Sequence, residues 1–124
     1  MLTFNEVNFF KRFFNESGYI LDFTDKEFDD FTLKSVGIPL KLRYKVSKGK
    51  SFEAFIDDAS SENVLKLIFD LIEYIDFQDI DGLLSEEQKK LYPKLKNILS
   101  RFTYNDLFSE KLIINAKERF NDKY

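Results

Sequence analysis

Residues 60–76 read SSENVLKLIFDLIEYID, and their spacing decides the fold class. Val64, Leu65, Ile68, Leu71, Ile72 and Ile75 recur at three- and four-residue intervals, which places them on one wide helical face with Lys66, Asp70 and Glu73 opposite. Phe69 falls at the edge of that face and Leu71 inside it. The segment reads as a central helix, and the flanking sequence supplies start and stop signals for further helices. Toward the N-terminus, Ser51 is expected to cap a short helix carrying Phe52, Phe55 and Ile56. Before it, Pro39 suits the first turn of a helix running to about Ser47, with Gly49 as its C-terminal breaker. Thr24-Asp-Lys-Glu27 has capping-box form, in which hydroxyl and carboxylate satisfy each other's backbone amides. It opens a helix with Phe28, Phe31 and Leu33 or Val36 inward, ended by Gly37. Thr3-Phe-Asn-Glu6 is a second such box, followed by Val7, Phe10 and Phe14 at helical spacing with Phe9 and Phe13 beside them, and Gly18 as the stop.

Toward the C-terminus, Asp81-Gly82 marks a turn and Ser85-Glu-Glu-Gln88 is a third capping box. Leu91, Leu95, Ile98, Leu99 and Phe102 continue the helical period, and Pro93 is expected to kink or split that helix. A last helix is expected from about Asp106 to Phe120 through Leu112, Ile113 and Ala116. No convincing period-2 strand, internal repeat or linker interrupts this series. The expectation is an all-α fold, a compact single domain over residues 1–124 with six or seven helices.

Composition narrows the chemistry. The chain has 15 Phe but no His, Cys or Trp. It therefore lacks the commonest transition-metal ligands, the usual general base near neutral pH and any thiol nucleophile. Carboxylate neighbours such as Asp29-Asp30 and Asp57-Asp58 diverge by about 100° on a helix, so they do not converge on one substrate atom. Neither an enzyme nor a cofactor is expected. A net charge of −3 weighs against a generic nucleic-acid binder, which favours a basic domain. The apolar runs fall well short of the roughly 20 residues of a membrane span, and the N-terminus lacks a signal-peptide cleavage site. A cytoplasmic protein is the expectation.

Two motifs attract a ligand reading and lose it. SKGKS, residues 47–51, looks like the tail of a phosphate-binding loop. That loop needs Gly five residues before the Gly-Lys pair, where this chain has Tyr44, and a buried strand before it. Gly49 as a helix end and Lys50 as a solvated side chain suffice. DFQDIDG, residues 76–82, hints at a calcium loop. Setting Asp79, Asp81 and Gly82 at loop positions three, five and six puts Phe77 at position one and Gln88 at position twelve, so the opening and closing carboxylates are missing.

Charge, by contrast, is segregated. Between Lys34 and Lys50 lie six cations and no acid, and from Asp70 to Glu87 seven acids and no base. If the third helix runs to Ser47, Lys41, Lys45 and Lys48 share one face, which suits an acidic protein partner or the phosphates of a nucleic acid. The asymmetry as a whole suits docking to a protein or another domain. The candidate interaction surface is Lys41, Lys45, Lys48 and Lys50 on the basic side with Asp76, Asp79 and Asp81 on the acidic side. Phe9, Phe10, Phe13 and Phe14 make a face too wide for one neighbour, and a homodimer through surplus Phe surface is one use for it.

From Phe9 to Asp76 the chain is similar to a helical N-terminal domain of bacterial abortive-infection (anti-phage) proteins. The resemblance rests on the Ser17-Gly-Tyr19 turn, the run DFT…FDDFT…VGI, and SKGKSFEAFI followed by NVLKLIFDLIEYI. It implies a sensing, regulatory or assembly module that precedes a separate effector domain, often a HEPN-type ribonuclease. The HEPN signature sets an Arg four to six residues before a His; with no His, Arg101 and Arg119 cannot complete it, and no catalytic residue is carried over. The chain is then the N-terminal module of a longer protein or a stand-alone relative. The expected function is a non-enzymatic regulatory or protein-interaction domain of a phage-defence system. The alternatives are a small nucleic-acid-binding module and a phage-encoded inhibitor of a host defence protein.

Overall fold

Three reciprocal capping boxes start three of the helices. The Thr3, Thr24 and Ser85 hydroxyls accept from the amides of Glu6, Glu27 and Gln88, whose side chains reach back to the cap amides. A computed structural model describes residues 2–102. In chain order these form α1 (Phe4–Phe14), β1 (Asn15–Glu16), β2 (Tyr19–Ile20), α2 (Asp25–Val36), α3 (Leu40–Tyr44), α4 (Lys48–Asp58), α5 (Ser61–Asp76), α6 (Ile80–Leu83) and α7 (Glu86–Ser100). The fold is a compact, mainly helical one, with seven helices among the described residues. The helix expected at Asp106–Phe120, with Leu112, Ile113, Ala116 and Arg119, lies outside the described residues.

α5 is the centre, as its spacing predicts: Val64, Leu65, Ile68, Leu71 and Ile75 are all buried. Leu67, outside the expected face, is fully buried too, so α5 is enclosed on more sides than its apolar stripe indicates. α2 packs along it, with Phe28 fully buried and Phe31 partly so, while Leu33 stays half exposed and Val36 takes the inward position. Most of the aromatic face of α1 is internal. Phe10, Phe13 and Phe14 are fully buried, with Phe14 against Phe52 of α4 and Phe13 against Tyr92 of α7. Two neighbours take up Phe10, Phe13 and Phe14 of that face, while Phe9 is only partly buried and Phe4 is exposed.

Five local expectations are corrected. Helix α1 ends at Phe14 rather than near Gly18, because residues 15–20 form a tight antiparallel hairpin with Asn15 opposite Ile20 and Glu16 opposite Tyr19. Its two-residue loop, Ser17 (φ 55°) and Gly18 (φ 90°), has both residues at positive φ, the geometry that matches strand twist. Two-residue strands are too short to show alternation in a sequence. The third helix stops at Tyr44, with Lys45 left-handed at φ 57°, instead of reaching Ser47. The cap of α4 is accordingly Ser47, whose hydroxyl accepts from the Lys50 amide, and Ser51 is buried one turn inside, donating to the Lys48 carbonyl. Gly49 is not a breaker but part of the first turn of α4. Finally, α7 runs unbroken through Pro93.

Polar groups inside this core are matched. Thr32 Oγ1 donates to the Asp29 carbonyl and accepts from the Leu40 amide, and the Gln88 side chain donates to the Phe13 carbonyl. Buried Glu6 pairs with Arg101 across α1 and the end of α7. Among the described residues no buried side-chain nitrogen or oxygen lacks a partner.

Candidate functional site

The basic tract is built around a short helix that cannot cap itself. Pro39 at the N-terminus of α3 offers no side-chain acceptor. Asp29 of α2 does so instead, its carboxylate accepting from the Lys41 amide at 2.7 Å and the Leu42 amide at 3.1 Å. An anion at a helix N-terminus is favourable both for the orphan amides and for the helix dipole. Asp29 thereby fixes how α3 lies against α2 and where Lys41 and Arg43 emerge.

Lys41, Lys45 and Lys48 do not share a helix face, because the chain turns at Lys45 and restarts as α4 at Lys48. Two of them still converge, on Asp25: Lys41 Nζ lies 3.6 Å and Lys48 Nζ 3.5 Å from its carboxylate. Lys48 is a structural residue. Its side chain is 13% exposed, its ammonium donates to the Phe23 carbonyl at 2.8 Å, and it sits 5.7 Å from the centre of the Tyr19 ring. Lys45 and Lys50 are exposed, with no ion pair among the described residues. Between α2 and α3 an open depression of about 500 Å³ is lined by Asp25, Lys26, Asp29, Lys41, Leu42, Lys45 and Val46. Leu42 is 69% exposed there and Val46 39%. These two apolar residues are the part of the surface that charge counting misses. The signal for them is present in the sequence, as hydrophobic residues each directly following a lysine on a segment too short to bury both sides.

The acidic side is an exposed corner. Every residue from Asp76 to Gly82 is exposed, and Phe77 reaches 81%. Asp79 caps α6, accepting from the Asp81 amide, and Asp81 pairs with Lys89 at 3.1 Å. Asp76 ties the end of α5 to α7: Tyr92 Oη donates to Oδ1 at 2.7 Å, and Lys96 Nζ lies 3.0 Å away while covering the Tyr92 ring at 4.8 Å. Of the three expected acids, Asp79 is thus the one with no basic partner among the described residues. Among those residues no group of three or more carboxylates is arranged to hold a metal ion.

The Tyr92–Asp76 pair makes stability depend on pH in two directions. Burial opposes ionisation of Asp76, but hydrogen bonds from Tyr92 and Lys96 and the charge of Lys96 outweigh it and hold the carboxyl below its usual range. A depressed folded value contributes stability above the unfolded pKa of about 3.9, which is lost as pH falls through the folded value. Burial first, then the bond to Asp76, pushes the Tyr92 hydroxyl well up, and burial with Asp22 does the same to Tyr74. Raised values contribute stability below the unfolded pKa of about 10, lost as pH rises beyond it. Denaturant melts are expected to show declining stability above about pH 10, and the decline is expected to shrink in Tyr74→Phe/Tyr92→Phe. An unchanged alkaline slope in that variant contradicts the assignment.

The adjacent carboxylates diverge as helix geometry requires: Asp29 caps α3 while Asp30 pairs with Lys26, and Asp57 pairs with Lys11. No helix of the described residues is long and apolar enough to cross a membrane. Comparison of the chain with family models, curated proteins and solved structures returns no match.

Proposed function

We propose that this protein acts by binding, not catalysis, as a regulatory or assembly module of a cytoplasmic bacterial phage-defence system that docks a protein partner. One observation carries the docking reading: large apolar side chains stand exposed inside the two one-signed tracts, Phe77 in the acidic one and Leu42 with Val46 in the basic one. Apolar contacts ringed by charge are the anatomy of a protein interface, in which the apolar centre supplies affinity and the charges supply register. A phosphate-binding stripe has no use for Leu42 or Val46, and two of its three lysines already lie close to Asp25. The phage-defence setting rests on the sequence resemblance over residues 9–76.

The test is a pull-down from phage-infected and uninfected cells with the wild type and Leu42→Asp/Lys45→Glu. Lys48→Glu is avoided because it removes the donor to the Phe23 carbonyl and sets an acid beside Asp25. A protein partner that survives nuclease treatment and is lost with the variant is the expected result. Recovery of RNA or DNA, with partners vanishing on nuclease treatment, overturns it in favour of a nucleic-acid module. Gene context separates the two protein-docking versions: a defence operon fits the module, and a phage early region fits an inhibitor of a host defence protein.

A further inference from the structure

The two surfaces complement each other, and we propose that the partner of one is the other on a second copy of this chain. The proposal rests on the docking reading and names its occupant: the corner Asp76–Gly82 of one copy, with Phe77 leading, seats in the depression between α2 and α3 of the next. Three features match. The corner protrudes, with seven consecutive exposed residues and a phenyl ring 81% exposed at its apolar point, while the depression is open and about 500 Å³ in volume. The ring would meet Leu42 and Val46, the exposed apolar residues of the depression. The charges left unpaired are opposite. The corner lies in a run of seven acids without a base. The two acids lining the depression are already engaged, Asp25 by Lys41 and Lys48 and Asp29 by the α3 amides, which leaves Lys45 as its unpaired charge among the described residues. Glu73 and Asp79 are exposed on one side and Arg43 and Lys45 on the other, none of them in an ion pair among the described residues.

The two surfaces share no residue, so the contact is heterologous. It closes into a dimer or ring when the rotation between copies permits, and extends as a chain of copies when it does not. Such growth suits a module that brings effector domains together, and salt weakens it because the guiding charges are solvent-exposed.

Sedimentation velocity on the purified full chain tests this, over a hundredfold range of concentration and at low and high salt. Wild type is expected to gain mass with concentration and to lose it in high salt. Phe77→Arg, which blocks the corner, and Leu42→Asp/Lys45→Glu, which blocks the depression, are each expected to stay monomeric. Mixed one to one, they retain one intact corner and one intact depression and are expected to form a two-chain species. All substituted side chains are exposed, and circular dichroism checks that each variant folds. Wild type monomeric throughout, or variants that associate as wild type does, overturns the proposal. If the chain is monomeric while the pull-down still captures a partner through Leu42 and Lys45, self-assembly falls and docking stands; if both fail, both fall.

Discussion

Leu71→Ala is expected to lower the unfolding free energy by about 2–5 kcal/mol, with little change in the surface exposed on unfolding. Leu71 is fully buried near the middle of α5, and the same helix buries Val64, Leu65, Leu67, Ile68 and Ile75. Truncation removes the transfer free energy of the lost carbons and leaves a cavity that a core enclosed on several sides cannot easily fill. Phe69→Ala provides the contrast. Phe69 is only partly buried and lines an open groove with Ile72, Leu99 and Phe102, so solvent and neighbours can take up part of the lost volume. Its loss is expected to be the smaller of the two despite the larger side chain. A denaturant melt in which Leu71→Ala costs less than 1 kcal/mol would mean that the phase of α5 is wrong.

Gly49→Ala is expected to destabilise by about 1–3 kcal/mol, although alanine is the better helix former by about 1 kcal/mol. The reason is a close approach. A Cβ at residue 49 would lie 2.2 Å from Asn15 Oδ1, 2.6 Å from its Cγ and 2.8 Å from its Nδ2. That side chain cannot step aside freely. Its oxygen accepts from the Gly18 amide at 2.9 Å, which holds the hairpin loop, and its nitrogen donates to Glu53 at 2.6 Å. Admitting the methyl group means giving up one or both bonds. A double-mutant cycle makes the cause visible: in an Asn15→Ala background the same substitution is expected to be neutral or stabilising. If Gly49→Ala stabilises the wild type, the contact between α4 and the hairpin is not as tight as the geometry gives. This contact also accounts for the glycine of SKGKS, which makes room for a neighbouring side chain and not for a phosphate.

Much of this molecule was legible from local chemistry. The capping boxes at Thr3, Thr24 and Ser85 and the Gly37 stop act within a few residues of themselves, so reading the sequence recovers them. The inward faces of α5 and α7 follow from periodicity, since burial of one stripe is the condition for such a helix to form at all. Charge segregation was equally plain, and it named Lys45, Lys50 and Asp79, all of which stand at the surface.

What was not legible depends on partners distant in sequence. The basic tract reads as one helix until Asp29, twelve residues before Lys41, supplies the cap that α3 lacks and the chain turns at Lys45. Lys48 reads as a solvated cation until the Phe23 carbonyl, twenty-five residues away, accepts its ammonium. Asp76 reads as a docking acid until Tyr92 and Lys96 of α7 take hold of it. The sequence by itself determined where most of the helices lie and the main stripe each turns inward, because caps and apolar spacing act over one or two turns. Only the tertiary structure decided which charges are bound within the fold and which, with Phe77, Leu42 and Val46, remain for a partner, because a charged side chain is claimed by whatever the packed helices bring beside it.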